Sequence, residues 1–125
     1  MAATRATSQR EDETRLFDFV REKVDTFVKW DLVRFFHDNP YAADSAENIA
    51  RFAGRDARTV ENDLQELVRS GVLESNVAGT GNGTTRIYRY VKDQQVRADV
   101  QRFVIACDDP AFRIRAINQV IEGLQ

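Results

Sequence analysis

The sequence predicts a mainly α domain that carries one small β-hairpin, and three observations lead to that reading. Apolar residues recur in steps of three and four over most of the chain, as they do in helices with one buried face. Two short runs rich in β-branched and aromatic residues, 72–77 and 86–91, flank a segment with glycine at positions 79, 81 and 83. The length of 125 residues, with 42% hydrophobic and 30% charged, suits a single domain able to bury a real core.

Residues 1–9 show no apolar periodicity and read as a disordered tail, leaving 10–125 as the domain. The clearest helical stripe runs through Leu16, Val20, Val24, Phe27, Val28, Leu32, Phe35 and Phe36. Its period fits one long helix or two joined near residues 28–30, and the turn before Pro40 ends it, because the residue before proline avoids the α region. A further helix opens at Asp44 or Ser45, where Asp44 followed by Glu47 has the form of a capping box, and closes at Gly54. Asp56 caps the next, whose buried positions are Val60, Leu64, Leu67 and Val68, and Gly71 ends it. The hairpin follows. Val96, Val100, Phe103, Val104 and Cys107 mark a later helix, and Asp109-Pro110 restarts the chain into a last one carrying Phe112, Ile117, Val120, Ile121 and Leu124.

Composition narrows the function. One cysteine and one histidine cannot supply a clustered zinc or copper site, and no nucleophile–base set is written, so the reading is non-enzymatic, with no cofactor and no metal. No apolar run reaches the length of a membrane span and the amino terminus lacks a signal-like apolar region, which predicts a cytoplasmic protein without a membrane partner. The formal net charge of −2 neither demands nor forbids a nucleic-acid partner; the placement of fifteen Arg and three Lys has to decide.

Helix, helix, turn, helix and then a two-stranded hairpin with a long tip is the element order of a winged helix-turn-helix. Three segments carry the resemblance: Ser45-Ala-Glu-Asn-Ile-Ala-Arg-Phe-Ala-Gly54, Arg58-Thr-Val-Glu-Asn-Asp-Leu-Gln-Glu-Leu-Val-Arg-Ser-Gly-Val-Leu73 and Arg86-Ile-Tyr-Arg-Tyr90. Over about residues 29–91 the chain resembles the winged-helix DNA-binding transcription regulators, among them repressors of the multiple-antibiotic-resistance and arsenical types, without singling out one family. The fold so implied is a winged helix-turn-helix with an extra amino-terminal helix and two carboxy-terminal helices.

The resemblance implies double-stranded DNA as partner, with the helix after Asp56 in the major groove and the hairpin wing on the backbone. Arg55, Arg58, Thr59 and Asn62 then stand where base edges and phosphates are read, and Thr84, Arg86 and Arg89 where the wing meets the backbone, helped by Thr80, Asn82, Thr85 and the glycine amides. Few cationic contacts per copy imply two half-sites and hence a homodimer, for which the flanking helices 10–28 and 92–124 are the expected interface. Against a DNA partner, the helix from residue 55 to 69 holds three basic and four acidic side chains, Asp56, Glu61, Asp63 and Glu66. The alternative is therefore a winged-helix protein-interaction module that does not bind DNA, and a positive stripe broken by Glu61, Asp63 and Glu66 would favour it.

Other residues have plainer readings. His37 suits a helix-end role and Cys107 that of a small buried hydrophobe, with a redox-sensing thiol as its sharper reading. Residues 79–83 join two strands, unlike a nucleotide-binding loop, which joins strand to helix. Trp30, Phe35, Phe36 and Phe52 read as core packing, with a small-molecule pocket as the lesser reading and the effector unspecified.

Overall fold

In the computed structural model, residues 2–79 and 81–124 are described, with side chains from residue 10 onward. The chain forms α1 (Ala2–Lys23), α2 (Phe27–Asp38), β1 (Ala43–Asp44), α3 (Ala46–Ala53), α4 (Ala57–Arg69), β2 (Leu73–Ala78), β3 (Thr85–Tyr90), α5 (Gln94–Ala106) and α6 (Pro110–Gly123). This is a mainly helical winged-helix fold with a small antiparallel sheet of strand order β1-β3-β2.

The long amino-terminal stripe is broken into two helices. Thr26, with extended backbone (φ −133°), caps α2 and its side chain accepts the Lys29 N–H, so the break falls just before residues 28–30. Residues 2–9, read from sequence as a disordered tail, are helical and continuous with α1, so that boundary is corrected. Ala2, Ala3 and Ala6 favour helix even without an apolar stripe.

The two-residue strand β1 has no counterpart in the sequence reading, because two residues give no periodicity. It pairs Ala43 with Arg89 and Asp44 with Tyr88. The cap of α3 is accordingly Ser45, whose Oγ accepts from Asn48 N, while the Asp44 carboxylate accepts from Ser45 N and Asn48 Nδ2 at 2.8 Å each. The box expected between Asp44 and Glu47 is thus displaced by one residue.

The turn between α3 and α4 is set by Gly54 in the left-handed region (φ 65°), with Arg55 N–H donating back to Ala50 O at 3.0 Å. Asp56 caps α4 as expected, accepting from Thr59 N. At the far end Gly71 (φ 87°) and a Val72 N–H to Leu67 O bond of 3.0 Å stop the helix and turn the chain into the hairpin.

One core joins these elements. Leu32, Val33 and Phe36 of α2, Ile49 of α3, Val60, Leu64 and Leu67 of α4, and Leu73, Tyr88 and Tyr90 of the sheet are all buried. The flanking helices close it from the other side: Phe19 of α1 lies 5.5 Å from Phe103 of α5, Trp30 of α2 5.1 Å from the same ring, and Phe17 of α1 5.2 Å from Phe112 of α6. Much of the apolar surface that the sequence offered for a partner is therefore buried within the chain. The aromatic cluster of residues 30, 35, 36 and 52 divides in two, Trp30 joining Phe103 while Phe35 contacts both Phe36 and Phe52.

Candidate nucleic-acid interface

The outer surface of α4 is decided by its spacing. Val60, Leu64 and Leu67 point into the core, and Arg58, Asn62, Gln65 and Arg69, at steps of four, three and four, form the line opposite them. Arg58, Asn62 and Arg69 are exposed, and Gln65 is half-buried beside Tyr88 of the sheet. Arg69 belongs to this line although the sequence reading had not assigned it a role; the signal was its eleven-residue step from Arg58, three helical turns.

The acidic residues of α4 do not share that surface equally. Asp63 is 5% exposed, and its Oδ2 accepts a 2.8 Å bond from Thr26 Oγ1 of α2. Glu66 forms an ion pair with the buried Lys29 of α2, which also holds Asp25 at 2.6 Å. Burial by itself would lower the Lys29 pKa, but the bonds to Asp25 and Glu66 outweigh it and raise it, so the ammonium stays charged. Asp56 is occupied with the cap. Of the four acidic groups, Glu61 alone stands exposed without a hydrogen bond or ion pair among the described residues.

The candidate cations also differ in freedom. Arg55 is clamped to Asp31 of α2 through Nε at 3.2 Å and Nη2 at 2.5 Å, and the Thr59 hydroxyl donates to the cap carboxylate of Asp56 at 3.2 Å. Arg58 and Asn62 have no such partner among the described residues. An arginine held by a neighbouring carboxylate presents less net charge to a phosphate than a free one.

At the wing, strand alternation separates Arg86 from Arg89. Arg86 shares a face with Tyr88 and Tyr90, which is the face turned to α4, and donates to Ser75 Oγ at 3.1 Å. Arg89, three residues on, lies on the other face with Ala43 and Glu74 as cross-strand neighbours. Arg86 and Arg89, both expected where the wing meets the backbone, thus stand on opposite faces of the sheet, a parity readable from their spacing. Thr84 is exposed at the tip, where Gly79 (φ 102°) and Gly81 (φ 65°) take conformations that favour glycine; Thr80 lies outside the described residues.

Cys107 is buried, and burial pushes its thiol up to about 11, with Arg34 and Arg113 only partly opposing that. A thiol of this kind is not poised for redox sensing. His37 sits in the last turn of α2, its Nδ1 3.1 Å from the Asp38 carboxylate. Among the described residues, no group of three or more His, Cys, Asp and Glu is arranged to hold a metal ion, and no helix is long and apolar enough to cross a membrane.

No family model matches the chain, and no curated protein matches its sequence. One solved structure is similar: a possible transcriptional regulator from Methanosarcina mazei Go1, at 21% identity over 73% of each chain with a TM-score of 0.50. That likeness establishes a shared fold.

Proposed function

We propose that this chain is a sequence-specific, DNA-binding transcriptional regulator that acts as a homodimer in the cytoplasm, with α4 in the major groove and the tip of the β2–β3 wing on the backbone. The observation that carries the proposal is the burial of Asp63 against Thr26 together with the pairing of Glu66 to Lys29. It leaves Arg58, Asn62 and Arg69 as the outer line of α4, with Glu61 at its edge and Arg86 beside it on the wing. Arginine reads guanine and asparagine reads adenine through paired hydrogen bonds, and free arginines meet phosphate. Thr59 and Thr84 add hydroxyl contacts, whereas Arg55 serves chiefly to fix the α3–α4 turn against Asp31.

Dimerisation rests on α6. Ile114, Ile117, Ile121 and Leu124 repeat at steps of three, four and three, and the first and last are 58% and 59% exposed. A second copy covering this stripe in a symmetric pair presents two α4 helices to two half-sites.

Selection from a random duplex library across a salt series, with light scattering on the same sample, tests the proposal. A dimer that enriches a two-fold-symmetric site and loses affinity steeply with salt supports it. A species that retains no duplex at low salt refutes it and makes the exposed face of α4 a protein-binding surface.

A further inference from the structure

The back of the wing holds a second cluster of cations that the α4 surface does not use. Where β3 runs into α5, an open recess of about 550 Å³ is lined by Arg89, Tyr90, Lys92, Gln94 and Arg97 on one side and by the 40–43 segment, including Tyr41, on the other. Three cationic side chains and no acidic one line it among the described residues. Neither Arg89 nor Lys92 has an ion-pair partner there.

Two buried donors in the same lining are unpartnered. The Arg89 Nε and the hydroxyl of Tyr90, a residue 5% exposed, are enclosed with no hydrogen-bond partner among the described residues. An enclosed donor without an acceptor costs on the order of 1–3 kcal/mol, a cost that an incoming acceptor removes. Arg97 is fixed by a 2.7 Å bond from its Nε to Val91 O and by stacking of its guanidinium over the Tyr90 ring at 4.5 Å. The Tyr41 ring, 94% exposed, stands at the rim as an unused flat apolar surface.

We propose that this recess binds a small organic anion, a carboxylate or phosphate attached to a planar group. Arg89 and Lys92 hold the anionic oxygens, the orphaned Arg89 Nε donating to them, and Tyr41 covers the planar part. The volume suits a metabolite-sized ligand, and Arg89, its strand-borne cation, stands on the face of the sheet opposite to Arg86. It does not depend on α4 reading DNA.

The test is an amide NMR titration of the whole protein with phenyl phosphate, benzoate and neutral benzamide. Saturable shifts confined to residues 40–43 and 89–97 for either anion, absent for benzamide, are expected. Arg89→Gln and Lys92→Gln should each weaken binding by tenfold or more. Lys92→Gln guards against misreading a folding defect, since Lys92 is an exposed residue outside the strands. No saturable shift at millimolar anion, or equal binding by both variants, overturns the proposal. So does a recess that responds only to duplex DNA, because that assigns its cations to phosphate-backbone contact.

Discussion

The Thr26 hydroxyl joins two helices at one atom: its oxygen accepts the Lys29 N–H at 3.0 Å, capping α2, and donates to Asp63 Oδ2 of α4 at 2.8 Å. A single side chain thereby starts one helix and pins the acidic edge of the other.

Breaking that link should register as lost stability rather than altered surface chemistry. Asp63→Ala is expected to cost roughly 1–3 kcal/mol in urea unfolding, because it strands a half-buried hydroxyl and opens the α2–α4 contact. Thr26→Val should cost a similar amount, since it also removes the cap. The double variant should lose less than the sum, and strict additivity would show that the two groups do not interact.

At the DNA surface, Arg58 and Arg86 separate by kind of effect. Arg58→Ala should relax preference at one or two base pairs by about 1–3 kcal/mol, whereas Arg86→Ala should weaken all duplexes alike and reduce the salt slope by about 1. Competition binding against single-base variants of the selected site distinguishes them. Identical profiles for both variants would refute the assigned docking.

The wing tip offers a backbone test. A Cβ added at Gly79 would meet Gly83 O at 2.2 Å, at a φ of 102° that side chains rarely take, whereas at Gly81 it would meet nothing within 4 Å. Gly79→Ala should therefore rearrange residues 78–85 and weaken duplex binding several-fold, while Gly81→Ala costs about 1 kcal/mol or less. Because the tip is exposed and can relax locally, neither variant should lose more than about 2 kcal/mol in urea unfolding, and a larger drop for Gly79→Ala would show that the tip is packed into the fold.

Alkaline pH should unfold the protein through four groups acting in one direction, one of them Lys29, which Asp25 and Glu66 hold charged. Burial raises Cys107 from 9.0 to about 11, Tyr90 from 10.0 to about 12, and Tyr88 also upward from 10.0, with Gln65 opposing. Each is protonated more strongly in the folded chain, so its stabilising contribution is complete below the unfolded value and is lost as pH rises through the folded one. Stability should hold up to about pH 9 and fall between 9 and 12. Cys107→Ala should delay the onset toward pH 10 and spare about 2 kcal/mol of the loss at pH 11. An unchanged pH profile in that variant would contradict the assignment.

Capping residues and periodicity made most of the fold legible. Asp56, Gly54, Gly71 and Asp109-Pro110 act where the chain composition places them, because each imposes a local backbone geometry that distant packing does not override. The α1–α2 break was ambiguous because its apolar stripe continues across it, and only the Thr26 cap reveals it. Strand β1 could not be read, since it is only two residues long and pairs Ala43 with Arg89 and Asp44 with Tyr88, far along the chain. At the site, residue identities were readable but their commitments were not. Whether Glu66 faces solvent or Lys29, or Arg55 a phosphate or Asp31, is fixed by packing of α2 on α4. The opposite faces of Arg86 and Arg89, by contrast, follow from strand alternation alone.

The first and last helices clasp each other, with Arg115 to Glu13 at 3.0 Å and Gln119 Nε2 to Phe17 O at 2.9 Å, each across 102 residues. Closing a loop of that length costs about 1 kcal/mol more than the shorter closures within the α2–β3 segment, and contacts of longer sequence separation form more slowly. The expected order of folding is therefore helix-turn-helix and wing first, with α1 docking onto α6 late. Opening reverses that order, so hydrogen exchange in α1 should run ahead of exchange in α4, and a chain with its clasp released still carries a formed recognition surface.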